Sequence, residues 1–197
     1  MNPEPQPRDL GRVYPLGTHP KLPRTRETVA IHEAGHAAIA LALGLPCHSI
    51  RIEGTGRETV GGFAMSPAAG LDTIGTPAIH HPPDTDRAAG LVAMLAHARK
   101  MPPQQAALDL ATMAAAGRQA EILAAGLPWP GALWSEDRDG QDARAYLAVA
   151  FNPPPIGFAQ RRARALLTHH WPRVQQIAAE LIERGTWKPD DEPRDPD

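Results

Sequence analysis

Proline sets the frame for this chain. Of its 197 residues, 22 are proline. Each fixes φ and removes a backbone N–H, so helix interiors must fall between them. Pro3, Pro5, Pro7, Pro15, Pro20 and Pro23 crowd the start and predict an extended arm over 1–24. Pro46, Pro102-Pro103, Pro128 and Pro153-Pro154-Pro155 mark breaks further on. The closing stretch Pro189-Asp190-Asp191-Glu192-Pro193-Arg194-Asp195-Pro196-Asp197 is acidic and predicts a disordered tail over 189–197. What remains, 25–188, reads as one domain.

Within that domain the apolar spacing is mostly helical. Val29, Ile31, His32, His36, Ile39, Ala40 and Leu43 mark a helix from about Thr25 to Leu43, stopped by Gly44 and Pro46. Ser49 to Glu53 alternates, Gly54-Thr55-Gly56 turns, and Val60 to Met65 reads as a second strand, so a hairpin is predicted. Residues 67–85 read as a loop. A helix capped by Asp84 or Asp86 then runs to Arg99. One long helix is predicted from Gln104 to about Ala125, another from Asp137–Asp139 through Leu147, and a pair over Phe158–His170 and Pro172–Arg184. The predicted fold class is α+β: a mainly helical domain with one small β-hairpin after the first helix.

Charge and composition remove several functional classes. Lys and Arg total 20 against 22 Asp and Glu, which argues against nucleic acid as a partner. No run approaches the roughly 18 apolar residues of a membrane helix, so no membrane partner is expected. Met1 to Pro7 lacks the apolar core of a secretory signal, and a cytoplasmic location is the expectation. Cys47 is alone, so no disulfide framework is available within the chain. No GxxxxGK[ST] loop is present, so no ATP binding is expected by that route.

His32-Glu33-Ala34-Gly35-His36 is an HExxH motif inside the first predicted helix. Residues at i and i+4 share a helix face, so the two imidazoles can aim at one ion. Glu33 is one step round from His32, within reach of a water at that ion. A bound Zn²⁺ lowers the pKa of its water to about 7, which allows a carboxylate to take the proton during attack on a carbonyl. Such a site needs a third protein ligand and one open position. The metzincin continuation HExxHxxGxxH is absent, because Ala37-Ala38-Ile39-Ala40-Leu41-Ala42 follows His36. A thermolysin-like Glu on a following helix is poorly matched, because Glu53 and Glu58 lie on or beside the predicted strands. The remaining acids cluster in Ser135-Glu136-Asp137-Arg138-Asp139-Gly140-Gln141-Asp142-Ala143, which also reads as an ordinary capped helix start.

These stretches resemble, in order, the peptidase domain of the FtsH family of ATP-dependent zinc proteases. Thr28 to Ala37 is similar to the family's helix around HEAGHA, and Ser49-Ile50-Arg51-Ile52 through Met65 to its hairpin. Ala115-Ala116-Gly117-Arg118-Gln119-Ala120-Glu121-Ile122-Leu123 resembles its GGRAAE helix. Ser135 to Ala143 looks like the segment whose Asp, four residues before an Ala, is the third zinc ligand. Arg164 to Trp187 resembles the terminal helices. The resemblance implies Zn²⁺ held by His32, His36 and Asp139, with Asp137 as the runner-up, and Glu33 as the catalytic base. The family's membrane segments and AAA+ ATPase have no counterpart in this sequence. The expectation is therefore an ATP-independent metallopeptidase acting on peptides or unfolded segments. The alternative is a zinc-binding adaptor of the same fold with little turnover.

Other residues have plainer readings. Gly35 should allow close helix approach. Glu121 either orients a ligand imidazole or is a surface acid. Arg118 should pair with an acid. The doublets His80-His81 and His169-His170 point their rings apart and suit one ion poorly. Trp129, Trp134, Trp171 and Trp187 suit packing, and Cys47 lacks a partner for thiol chemistry. Ser49 to Glu53 is either an exposed edge that takes an extended peptide or a shield for the first helix.

Overall fold

The computed structural model describes residues 22–54, 60–64, 85–129, 131, 137–150 and 152–189. The predicted arm up to residue 21, the loop with His80-His81, Trp134 to Glu136 and the tail from 190 lie outside the described residues.

The first helix, α1 (Arg26–Ala42), starts where its side chains stop the backbone from going unsatisfied. Thr28 N–H donates to Thr25 Oγ1 at 3.2 Å, and Thr25 N–H donates to Thr28 Oγ1 at 2.8 Å. This reciprocal box satisfies two orphan donors of the first turn. At the other end Gly44 takes φ +62°, and Arg99 Nη1 donates to the Leu43 carbonyl at 2.8 Å. The strands β1 (Ser49–Glu53) and β2 (Val60–Ala64) pair antiparallel, with Ser49 opposite Ala64 and Glu53 opposite Val60. The helices α2 (Thr85–Arg99), α3 (Pro103–Ala114), α4 (Ala116–Ala124), α5 (Arg138–Val149), α6 (Ile156–His169) and α7 (Trp171–Arg184) follow. A two-residue strand, β3 (Thr186–Trp187), closes the described chain. The architecture is mainly helical with a three-stranded antiparallel sheet, an α+β arrangement. None of the described helices is long and apolar enough to cross a membrane.

The centre of the molecule is α1, packed against α4, α7 and the hairpin. Its close contact with α4 depends on small side chains. Ala34, Ala37, Ala116 and Ala120 are fully buried. A Cβ on Gly35 would lie 2.7 Å from Ala120 Cβ and 3.0 Å from the Ala116 carbonyl oxygen, so only glycine fits there.

One expectation changes and one open reading is decided. The long helix over 104–125 is instead α3 and α4, broken at Ala115, where ψ is −12°. No proline causes the break. The Ala-rich sequence favours helix throughout, and packing overrides that preference: α3 docks on α5 while α4 docks on α1. The second concerns β1, for which the sequence leaves two readings open: it is the central strand in the order β2-β1-β3, which removes the exposed-edge reading. Gly185, at φ +74°, caps α7 in the left-handed region and turns the chain back. Trp187 then pairs with Ile50 and is 1% exposed. Arg26 ties this corner together, donating to the Gly54 carbonyl at 3.1 Å and the Ile182 carbonyl at 3.3 Å.

Candidate metal centre

The i, i+4 spacing of α1 brings His32 and His36 side by side, with their Nε2 atoms 3.1 Å apart. Asp139, in the first turn of α5, enters from the opposite side. Its Oδ2 lies 2.8 Å from His32 Nε2 and 3.3 Å from His36 Nε2. A tetrahedral ion with bonds of about 2.0–2.1 Å separates its ligands by about 3.3 Å. The His36–Asp139 spacing meets that value, and the other two, at 3.1 and 2.8 Å, are shorter and would open to admit an ion. His32, His36 and Asp139 form the group among the described residues that can hold a metal ion.

The outer ring nitrogens show which atoms face inward. His36 Nδ1 lies 2.8 Å from the Met113 carbonyl oxygen, which only accepts, so Nδ1 donates. His32 Nδ1 lies 2.7 Å from Glu121 Oε1. Glu121 is itself ion-paired with Arg118, which keeps it an acceptor. Burial pushes the Glu121 carboxyl up, but His32 and Arg118 outweigh it and hold it below its ordinary value. In each neutral imidazole the Nε2 lone pair therefore turns inward, beside a carboxylate oxygen. Three electron-rich atoms converge, and either a shared proton or a metal ion can sit between them.

The titration tendencies agree with that demand for positive charge. Burial pulls His32 down, yet the hydrogen bonds to Asp139 and Glu121 outweigh it and leave the ring well above its ordinary pKa. Burial pushes Asp139 up, yet the charge of His36 and the hydrogen bonds to both rings hold it well below the usual carboxylate range. Protons and a metal ion compete for the same inward nitrogens.

Two glycines shape the space around these groups. A Cβ on Gly117 would lie 2.5 Å from the Nε2 atoms of both His32 and His36. The wall of the site at α4 must therefore be bare backbone. On the other flank, a Cβ on Gly61 would lie 2.6 Å from Glu33 Cγ, so β2 passes directly over the motif glutamate. Glu33 is 7% exposed. Burial raises its carboxyl above the usual value, and the two histidines pull it partly back. A carboxylate tuned upward in this way is a better proton acceptor near neutral pH.

The predicted residues sort clearly. His32, His36 and Asp139 come together, with Glu33 against them. The runner-up Asp137 is the N-cap of α5 and accepts from the Gly140 N–H at 2.8 Å. Glu121 orients His32, and Arg118 pairs with Glu121. Cys47 is removed from thiol chemistry by burial, which pushes it up to about 12. His169 and His170, expected to point apart, instead meet edge-on at the α6–α7 junction with ring centres 4.7 Å apart, and neither joins the His32, His36 and Asp139 group. Sequence reasoning missed the Met113 carbonyl and the steric roles of Gly117 and Gly61. The glycines were visible as residues, but nothing local marked what they face. No protein-family model matches the chain, and no curated protein matches it.

Proposed function

We propose that the chain is a zinc metallopeptidase of the FtsH peptidase type, acting on peptides or unfolded segments. The observation that supports this most is the convergence of His32 Nε2, His36 Nε2 and Asp139 Oδ2, with both outer ring nitrogens held and Glu33 alongside. A bound Zn²⁺ would polarise the scissile carbonyl and acidify a water. Glu33 takes the proton from the attacking water and delivers it to the leaving amine. Its burial excludes bulk water, which would otherwise compete for that proton.

The hairpin supports a mode of substrate binding. Among the described pairings β2 is bonded on one side only, to β1, and its Gly61 lies over Glu33. An extended peptide can add to that open side through main-chain hydrogen bonds. Backbone recognition of this kind suits a broad range of unfolded segments.

Chelation tests the reading. Zinc-loaded chain is expected to cleave an unstructured fluorogenic peptide, to lose that activity after dialysis against a chelator, and to regain it with one equivalent of Zn²⁺. Cleavage that persists in the chelated protein, or its absence in the loaded one, contradicts the proposal.

A further inference from the structure

An ion pair between a buried Asp and a half-buried Arg lies outside the metal ligands but next to one of their supports. Asp109 on α3 is 4% exposed. Arg162 Nη1 from α6 reaches Asp109 Oδ1 at 2.6 Å, and Gln105 Nε2 donates to the same oxygen at 2.7 Å. The same guanidinium nitrogen lies 3.3 Å from Thr112 Oγ1. Thr112 is fully buried and donates to the Leu108 carbonyl at 2.7 Å. Arg162 thus grips α3 at two points nearly one turn apart, 109 and 112.

The residue after Thr112 is Met113, whose carbonyl receives His36 Nδ1–H at 2.8 Å. The helix ends one residue later, at Ala114. A final turn next to a helix break has fewer backbone bonds to hold its orientation. An apolar pair of similar volume would hold α3 to α6 about as well, because burying two charges is costly. It would not fix the rotation of this last turn, as a directional guanidinium does.

We infer that Arg162 and Asp109 are positioning residues for the metal centre: through Thr112 they hold the last turn of α3 so that the Met113 carbonyl keeps His36 Nε2 aimed at the ion. The link runs from α6 through α3 to α1 without touching the metal or substrate. It rests on the metal-site reading above.

The test uses the full chain with both charges replaced together, Asp109→Leu/Arg162→Met, which leaves no unpaired buried charge. Zn²⁺ affinity is read by competition with a chromophoric chelator. The His36 tautomer is read from ring ¹⁵N shifts in the metal-free protein, at a pH high enough for the shifts to show a neutral ring. Wild type is expected to show the Nδ1–H form. The double variant is expected to keep its helical circular dichroism, to bind Zn²⁺ about tenfold more weakly, as loss of an outer partner of a ligand does, and to mix tautomers at His36. Arg162→Lys, which keeps a charge on Asp109, should recover part of the affinity. Unchanged affinity and tautomer in the folded double variant overturn the inference. Should that variant fail to fold, Thr112→Val removes only the hydroxyl link, and an unchanged tautomer there overturns it equally. If wild type takes up no Zn²⁺, the metal reading fails, while the tautomer comparison still decides the positioning claim.

Discussion

Glu33→Gln is expected to retain one zinc per chain and to lose peptide hydrolysis by about 10²–10⁴-fold, the range for a positioned general base. The amide has nearly the same shape, so it fits under Gly61 where the carboxylate does. It cannot accept a proton from water, and this loss is chemical rather than structural. The ligand atoms of His32, His36 and Asp139 are untouched, so metal content separates the two causes. The measurement is kcat on a fluorogenic peptide beside zinc content by mass spectrometry. Near-full activity in a zinc-replete variant would remove Glu33 from the mechanism.

The second large effect concerns the third ligand. Asp139→Asn is expected to weaken Zn²⁺ binding by about 100-fold or more, above the loss typical of an outer partner. The substitution removes the carboxylate whose Oδ2 lies within 3.3 Å of both Nε2 atoms. Asp137→Asn is expected to leave zinc affinity within a few-fold of wild type, because Asn caps a helix about as well as Asp. Titration of both variants against a zinc chelator provides the comparison. The reverse order of effects would transfer the ligand role to Asp137.

How far these residues were legible in the sequence depended on whether the determining physics was local. The histidine pair followed from helix periodicity alone, since i and i+4 must share a face. The start of α1 near Thr25 was legible from the apolar spacing that begins at Val29, and the hairpin through alternation in Ser49 to Glu53; the Thr25–Thr28 capping box was not. Asp139 was different. Local chemistry made Asp137 and Asp139 equally good helix-start acids, and only the family resemblance ranked them. In the structure one caps α5 and the other faces the histidines.

The missed features are set by distant contacts. Residues 113–117 are Met-Ala-Ala-Ala-Gly, and helix propensity there gives no reason for a break. The break arises because α3 and α4 serve different neighbours. β3 is too short for any alternation to show, and it exists because Ile50 and Arg51 offer it a partner. That pairing also decided between the two readings of β1, placing it at the centre of the sheet. The Met113 carbonyl had no signature at all, since every residue has one. Gly117 stood inside a recognised stretch, but its need to be glycine comes from two imidazoles on another helix.

The proposed function depends on a metal held by His32, His36 and Asp139 with one position left open. The most direct test is zinc stoichiometry of the full chain combined with X-ray absorption at the zinc edge. The account predicts one zinc per chain, two imidazole nitrogens, carboxylate oxygen from Asp139, and a further light ligand that exchanges with added inhibitor or azide. A zinc site saturated by four protein ligands would instead indicate a binding module without turnover, and a chain that takes up no zinc would contradict the account outright.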